Sequence, residues 1–285
     1  MSSADDDRNA WQSARFSRLL LTGAAGGVGR QLRPRLAAFA DKVRVADLAS
    51  AMQAAAPAAA HEESLGCDLA DRVAVDAMVA GCEAIIHLGG VSVERPFEEI
   101  LEANIKGVFH IYEAARRHQV KRVIFASSNH VTGFYGQDER IDARALKRPD
   151  GYYGLSKSYG EDMAQFYFDR YGVQTVSIRI GSIFPEATNR RMLASWMSMD
   201  DFEQLLRRAL FIPDVGHTVV YGMSANAKTW WDNRYAAHLG YAPKDSSEIF
   251  RAKVEAQPQP APDDPVMTLQ GGAFTATGPF DPLVD

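Results

Sequence analysis

Arg18-Leu19-Leu20-Leu21-Thr22-Gly23-Ala24-Ala25-Gly26-Gly27-Val28-Gly29 reads as an apolar strand that runs into a glycine-rich turn and opens a helix. Glycines at 23, 26 and 29 have the spacing G-x-x-G-x-x-G, in the strand–turn–helix setting that the dinucleotide-binding fingerprint requires. The first glycine makes the tight turn, the second admits a pyrophosphate, and the third lets helix and sheet pack closely. The helix start adds N–H donors and the positive end of its dipole. The turn therefore marks where the pyrophosphate of a dinucleotide sits.

Outward from this turn, strands and helices alternate. A helix is expected over Gly27–Phe39, a strand over Lys42–Ala46 ending at Asp47, and an irregular loop or short helix in the alanine-rich stretch 49–60. A brief strand follows over Ser64–Cys67, then a helix from the N-cap Asp71 to Ala80 and a strand over Ala84–Leu88. Helical periodicity covers Phe97–His118, strands cover Val120–Ala126 and Gln174–Ile180, and a long helix covers Tyr153–Tyr171. This rhythm implies an α/β fold, a Rossmann-type doubly wound parallel sheet with right-handed crossovers. Residues 1–16 read as a disordered leader, 17–180 as the dinucleotide-binding domain, and 181–285 as a small C-terminal substrate-binding cap and tail. Within the cap, helical stretches are expected over 200–210, 225–239 and 246–256, with a strand over 218–221.

The chain's 285 residues, 46% hydrophobic, suffice for one sizeable domain with an appendage. A net charge of -5 argues against a general nucleic-acid binder, which needs clustered cations on phosphates. No apolar run approaches the roughly 20 residues needed to span a bilayer. The polar, acidic N-terminus lacks the pattern of a secretory signal. Cys67 and Cys82 have neither metal-site spacing nor the numbers for a disulfide framework, so the expectation is a reduced, cytoplasmic protein without a metal, both thiols buried.

Tyr153 and Lys157 stand four residues apart and share a helix face. A cation beside a phenol favours the phenolate and lowers its pKa, which suits a base near neutral pH. Ser128, 25 residues before Tyr153, closes a strand, where ligands of open α/β sheets bind. Asp47 ends the second strand, placed to accept from an adenosine ribose and to repel a 2′-phosphate, which favours NAD over NADP. Asp68-Leu69 either flanks the adenine or caps the next helix. His130 is either a substrate contact or a loop histidine, and Trp230 and Trp231 read as core rather than a sugar platform.

Together these motifs resemble the extended short-chain dehydrogenase/reductase superfamily. A narrower likeness is to the uronate dehydrogenase family. It rests on His87-Leu88-Gly89-Gly90-Val91-Ser92-Val93-Glu94, Phe125-Ala126-Ser127-Ser128-Asn129-His130, Arg179-Ile180-Gly181-Ser182, Arg191-Met192-Leu193-Ala194-Ser195-Trp196 and Trp230-Trp231-Asp232-Asn233. It runs from about Arg18 to Phe274, and departs in the acidic leader and the alanine-rich stretch. The resemblance implies hexuronate catabolism: NAD-dependent oxidation of the anomeric C1 of D-glucuronate or D-galacturonate to an aldarolactone, in a homo-oligomer. It implies Tyr153 as the base, Lys157 as its electrostatic and ribose-binding partner, and Ser128 as the hydroxyl that orients the C1 oxygen. Cofactor contacts are implied from Gly23, Ala25, Gly26, Gly27, Val28, Asp47, Leu48, Asp68, Leu69, Leu88, Gly89, Gly90 and Asn104. Sugar contacts are implied from Ser92, Asn129, His130, Ser182 and Arg191. Arg191 is the natural partner of the uronate carboxylate, because guanidinium offers a bidentate fork; adjacent Arg190 is its rival. Two other functions compete: a nucleotide-sugar epimerase or dehydratase of the same superfamily, and a dinucleotide-sensing protein without turnover.

Overall fold

In a computed structural model that describes residue 11, residues 13–278 and residue 280, seven strands form one sheet. They are β1 (Phe16–Thr22), β2 (Ala40–Asp47), β3 (Glu62–Gly66), β4 (Ala84–His87), β5 (Arg122–Ser128), β6 (Gln174–Ile180) and β7 (His217–Gly222). Their order is β7-β6-β5-β4-β1-β2-β3, and every neighbouring pair is parallel. β4 and β5 are buried at every residue, as strands covered on both faces must be. Because successive side chains alternate faces, Leu19 and Leu21 join one core layer and Leu20 the other. The first layer holds α1 (Gly27–Leu32) and α5 (Met199–Phe211); the second holds α2 (Arg72–Val79), α3 (Gly107–Arg117) and α4 (Tyr152–Tyr171). The strand order reverses between β1 and β4, which opens a crevice beyond their carboxyl ends.

Four expectations need correction. The helix over Gly27–Phe39 stops at Leu32, and a 3₁₀ turn with Pro34 in its first positions continues over Arg33–Ala38, since proline lacks the N–H that α-helix propagation needs. Over Phe97–His118 the helix is interrupted by a π-helical segment, Leu101–Lys106. Stretch 225–239 is not an α-helix: it contains a short strand, Trp231–Asp232, paired with Ile141–Asp142, and a 3₁₀ turn, Arg234–Leu239. The cause is side-chain competition: Asn226 donates to the carbonyls of Ala194 and Trp196, and Asn233 bonds both backbone groups of Tyr221. Finally, the division after residue 180 does not follow the sheet. α5 buries Phe202, Leu205, Leu206, Ala209 and Leu210, and it leads into β7 beside β6.

Residues 1–10 and 12 of the expected leader lie outside the described residues. Its remainder is held in place. Arg208 stacks 3.7 Å over the Trp11 ring, and Arg15 bonds Asp41 and the carbonyls of Ala37 and Ala40. Among the described residues, no helix is long and apolar enough to cross a membrane.

Candidate active site

The glycine turn shapes the crevice at the sheet's switch point. Gly23 has a φ of +71°, and a Cβ there would stand 2.7 Å from the Leu88 carbonyl carbon; this position is open only to glycine. A Cβ on Gly29 would collide with the Gly23 carbonyl, whereas the space over Gly27 is clear. No side chain caps the first turn of α1, so its N–H groups remain for an anion. Asp47, Leu48, Asp68 and Leu69 line the crevice beside the turn with Gly89 and Gly90; Cys67 and Met78 line it as well. Asp47 Oδ2 accepts from Ala25 N at 3.0 Å and Oδ1 from Leu48 N at 2.8 Å, which ties this carboxylate to the turn while lone pairs remain on each oxygen. Asp68 does not cap α2. It bonds Ala70 N at 2.9 Å, and Asp71 supplies the cap by accepting from Val73 N and Ala74 N. Asn104, in the π segment, is fully engaged by the chain. Its Oδ1 accepts from Val91 N at 2.8 Å, and its Nδ2 donates to Val91 O at 3.0 Å and Ser156 Oγ at 2.9 Å. It therefore supports the Val91 loop at the crevice edge. A dinucleotide fits these residues: a glycine-rich turn, uncapped N–H donors and a carboxylate fixed at the end of β2.

Beneath the crevice lies a fully buried histidine that the sequence did not single out. His87 Nδ1 is 2.7 Å from Thr22 Oγ1, which accepts from Gly89 N at 3.1 Å. Among the described residues His87 Nε2 has no hydrogen-bond partner. Burial first, and the Lys157 cation second, push the imidazole down to about 3. An unfolded chain takes up this proton near pH 6.5, and the folded one does not. Stability is therefore complete above about pH 6.5 and is lost as pH falls toward the folded value. His87→Gln should flatten the fall of Tm between neutral pH and pH 4.5; an unchanged slope in thermal melts would refute the assignment.

The catalytic candidates stand on β5 and α4. The N-cap of α4, Gly151, has no side chain, and Glu94 reaches in from the loop after β4 to serve instead. Glu94 Oε1 accepts from Tyr152 N at 2.7 Å and Oε2 from Tyr153 N at 2.8 Å, a carboxylate at the positive end of the helix. Tyr153 and Lys157 are buried one turn apart, with Lys157 Nζ 5.6 Å from the Tyr153 ring centre. The Tyr153 hydroxyl lies beside the Ser128 hydroxyl at the end of β5. Here the structure reverses one expectation. Burial pushes the Tyr153 phenol up to about 12, outweighing the effect of Ser128, and burial pushes the Lys157 amine down to about 8. Desolvation dominates both groups.

The substrate candidates divide into those that converge and those that do not. Ser128 Oγ accepts from His130 N at 3.2 Å. With its amide oriented to satisfy both atoms, Asn129 donates to Ile180 O at 3.0 Å and accepts from Arg191 Nη2 at 2.6 Å. Arg191 Nε also donates to Gln270 O at 2.6 Å. Burial lowers this guanidinium to about 10, against the opposing pull of Asp150, so it remains a cation at neutral pH. Arg190 faces away and donates to the carbonyls of Glu255 at 3.1 Å and Gln257 at 3.0 Å. Ser182 Oγ lies 3.0 Å from Ser195 Oγ, buried behind Arg191 O. Ser92 is exposed on the loop after β4. His130 Nδ1 is 2.6 Å from Asp150 Oδ2, and its ring stacks on Phe274 with centroids 4.0 Å apart.

Glu94, Asp150, Gln270 and Phe274 escape a reading of the sequence. Asp150 sits in Pro149-Asp150-Gly151, which looks like an ordinary turn. Gln270 is fully buried; it accepts from Trp231 Nε1 at 2.9 Å and donates to the carbonyls of Gly136 at 2.9 Å and Glu139 at 2.8 Å. Trp231 is stacked 4.9 Å from Tyr221, as a core residue. Both cysteines are free and buried, and burial pushes the Cys67 thiol up to about 11.

Comparison with known proteins agrees with this geometry. The model of the NAD dependent epimerase/dehydratase family matches residues 19–199. A uronate dehydrogenase from Pseudomonas syringae pv. tomato is 68% identical over 265 residues, covering 93% of this chain and 95% of its own. Among solved structures, a glucuronic acid dehydrogenase from Chromohalobacter salexigens superposes with a TM-score of 0.89 at 51% identity, covering 92% of this chain and 97% of its own. A tyrosine-to-alanine mutant of the uronate dehydrogenase from Agrobacterium tumefaciens, complexed with NAD, also gives 0.89, at 49% identity with 93% and 98% coverage.

Proposed function

Because the chain belongs to the NAD dependent epimerase/dehydratase family and, within it, to the uronate dehydrogenases, we propose that it oxidises hexuronates, D-glucuronate and D-galacturonate, at the anomeric C1 to the aldarolactone. The observation that carries this reading is that Ser128, the last residue of β5, bears on the Tyr153 phenol while the next residue, Asn129, holds the Arg191 guanidinium. NAD, when bound, would supply the hydride acceptor. The C1 hydroxyl gives its proton to Tyr153 Oη as the C1–H bond breaks and the C1=O bond forms. Ser128 orients the C1 oxygen. Lys157 favours the phenolate and holds the nicotinamide ribose. Arg191 binds the carboxylate that distinguishes a uronate from its parent aldose. The product is a lactone, so the redox step consumes no water.

In this reading residues 17–180 hold the cofactor, and the substrate cap comes from 181–285 apart from α5 and β7. The protein acts in the cytoplasm, in keeping with its two unpaired thiols. It works as a homo-oligomer, in keeping with exposed Phe109, Phe166 and Tyr171 on outer helices. Incubation with NAD and glucuronate, galacturonate, glucose or a UDP-sugar tests the activity. NADH absorbance should rise with the two uronates. Tight UDP-sugar binding without NADH formation would replace this reading with a nucleotide-sugar epimerase.

The cofactor preference should be NAD. Asp47→Ala should weaken NAD binding and narrow the gap to NADP, because it removes both the ribose acceptor and the charge that repels a 2′-phosphate. Titration of both dinucleotides checks this; equal use of NADP by the unmodified protein refutes the role of Asp47.

A further inference from the structure

His130 is held from three sides. Its backbone N–H bonds Ser128, Phe274 stacks on one face of the ring at 4.0 Å, and the Tyr153 ring stands edge-on at 5.8 Å. Its Nδ1 is committed to Asp150 Oδ2 at 2.6 Å. Only Nε2 is left to act.

The Asp150 side chain is 1% exposed, so water does not compete for this bond. The slot it occupies is made by glycines from three separate segments. A Cβ on Gly133 or Gly271 would collide with Oδ2, and one on Gly154 would stand 3.0 Å from Oδ1. Among the described residues Oδ1 has no hydrogen-bond partner. A buried carboxylate with one oxygen unpaired is costly, and an asparagine or a water-filled gap would fill the same volume. The charge is answered across the pocket by Arg191, whose basicity Asp150 raises.

We propose that Asp150 is a positioning residue: it holds the proton of the His130 imidazole on Nδ1, so that Nε2 is a bare acceptor for a hydroxyl of the sugar. This rests on the hexuronate reading for the identity of the ligand, but not for the state of the ring. A neutral imidazole donates from one nitrogen and accepts at the other, and the partner of the first decides the role of the second. The acceptor is needed because Arg191 offers only donors and the Asn129 oxygen is taken by Arg191. A sugar ring brings several hydroxyl protons, and a hydroxyl left without an acceptor in a closed pocket forfeits its bond to water.

The test has a spectroscopic and a kinetic arm, both on the full chain. Long-range ¹H–¹⁵N spectra of histidine-labelled protein at neutral pH, with His130 assigned through His130→Gln, report which ring nitrogen carries the proton. The expected pattern for His130 is a protonated Nδ1 and a bare Nε2. In Asp150→Asn, whose amide can also donate to Nδ1, signal for a protonated Nε2 should appear. A wild-type ring that is bare at Nδ1, or protonated at both nitrogens, overturns the proposal whether or not Asp150→Asn folds. In the kinetic arm, Asp150→Asn should lower kcat/KM for glucuronate by about tenfold to a hundredfold, the range for a hydrogen bond to a charged group. In a His130→Gln background the same change should cost less than about twofold, because groups that act as a unit are not additive. Equal losses in both backgrounds would show that Asp150 acts independently of His130 and would sink the idea. A wild-type protein inert toward uronates refutes the hexuronate reading instead, while the spectra still decide the role of Asp150.

Discussion

Tyr153→Phe is expected to lower kcat by about 10²–10⁴-fold, the usual contribution of a positioned proton-transfer group. The fold and dinucleotide affinity should be kept. The change deletes one hydroxyl from a ring packed within 5.8 Å of His130 and 6.2 Å of Phe274, and Glu94 still caps the helix through backbone N–H groups that the substitution leaves in place. The lost hydroxyl also lies beside that of Ser128, so Ser128→Ala combined with Tyr153→Phe should cost little more than Tyr153→Phe alone. Single-turnover NADH formation measures the effect. Near-normal turnover in Tyr153→Phe would remove Tyr153 from the reaction.

Arg191→Ala should raise KM for uronates by roughly tenfold to a hundredfold, since a hydrogen bond to a charged group contributes about 1.5–3 kcal/mol. The preference for glucuronate over glucose should shrink in proportion, because glucose has no carboxylate to lose. The same change frees Asn129 and the Gln270 carbonyl, both of which Arg191 holds, so part of the loss should fall on kcat. Arg190→Ala should change both values far less, as its guanidinium is spent on the carbonyls of Glu255 and Gln257. Measured kcat/KM for each variant on each sugar decides between them: a collapse of preference in Arg190→Ala with Arg191→Ala unaffected would reverse the assignment.

The parts of the fold that local chemistry controls are legible in the chain. An apolar run, a glycine turn and an N-cap aspartate announce β1, the crevice and α2, because each depends on residues within a few positions of one another. β7 is legible as a short strand over 218–221, but not as a member of the main sheet. Its six residues resemble any short apolar stretch, and only pairing with β6 makes them the sheet's edge. Arg190 and Arg191 are neighbours in sequence, yet one faces the pocket and the other the C-terminal stretch, a difference set by a turn and not by composition. Asp150 and Phe274 meet His130 across separations of 20 and 144 residues, and no periodicity connects them. The rise of the Tyr153 phenol was likewise hidden, since Lys157 is visible in the chain but the burial that outweighs it is not.

Glu94 has a consequence of a different kind. The loop that carries it begins at Gly89 and Gly90, against the crevice, and ends on the first turn of α4, where its carboxylate takes the N–H groups of Tyr152 and Tyr153. One short segment thus lines the crevice at one end and holds the reacting residue's helix turn at the other. Ordering that segment at either end lowers the entropic cost of ordering the other, and by linkage the coupling is reciprocal. A molecule settling in the crevice should then firm the first turn beneath Tyr153. The amide exchange rates of Tyr152 and Tyr153 then serve as a gauge of occupancy, read from two protons that never meet the ligand.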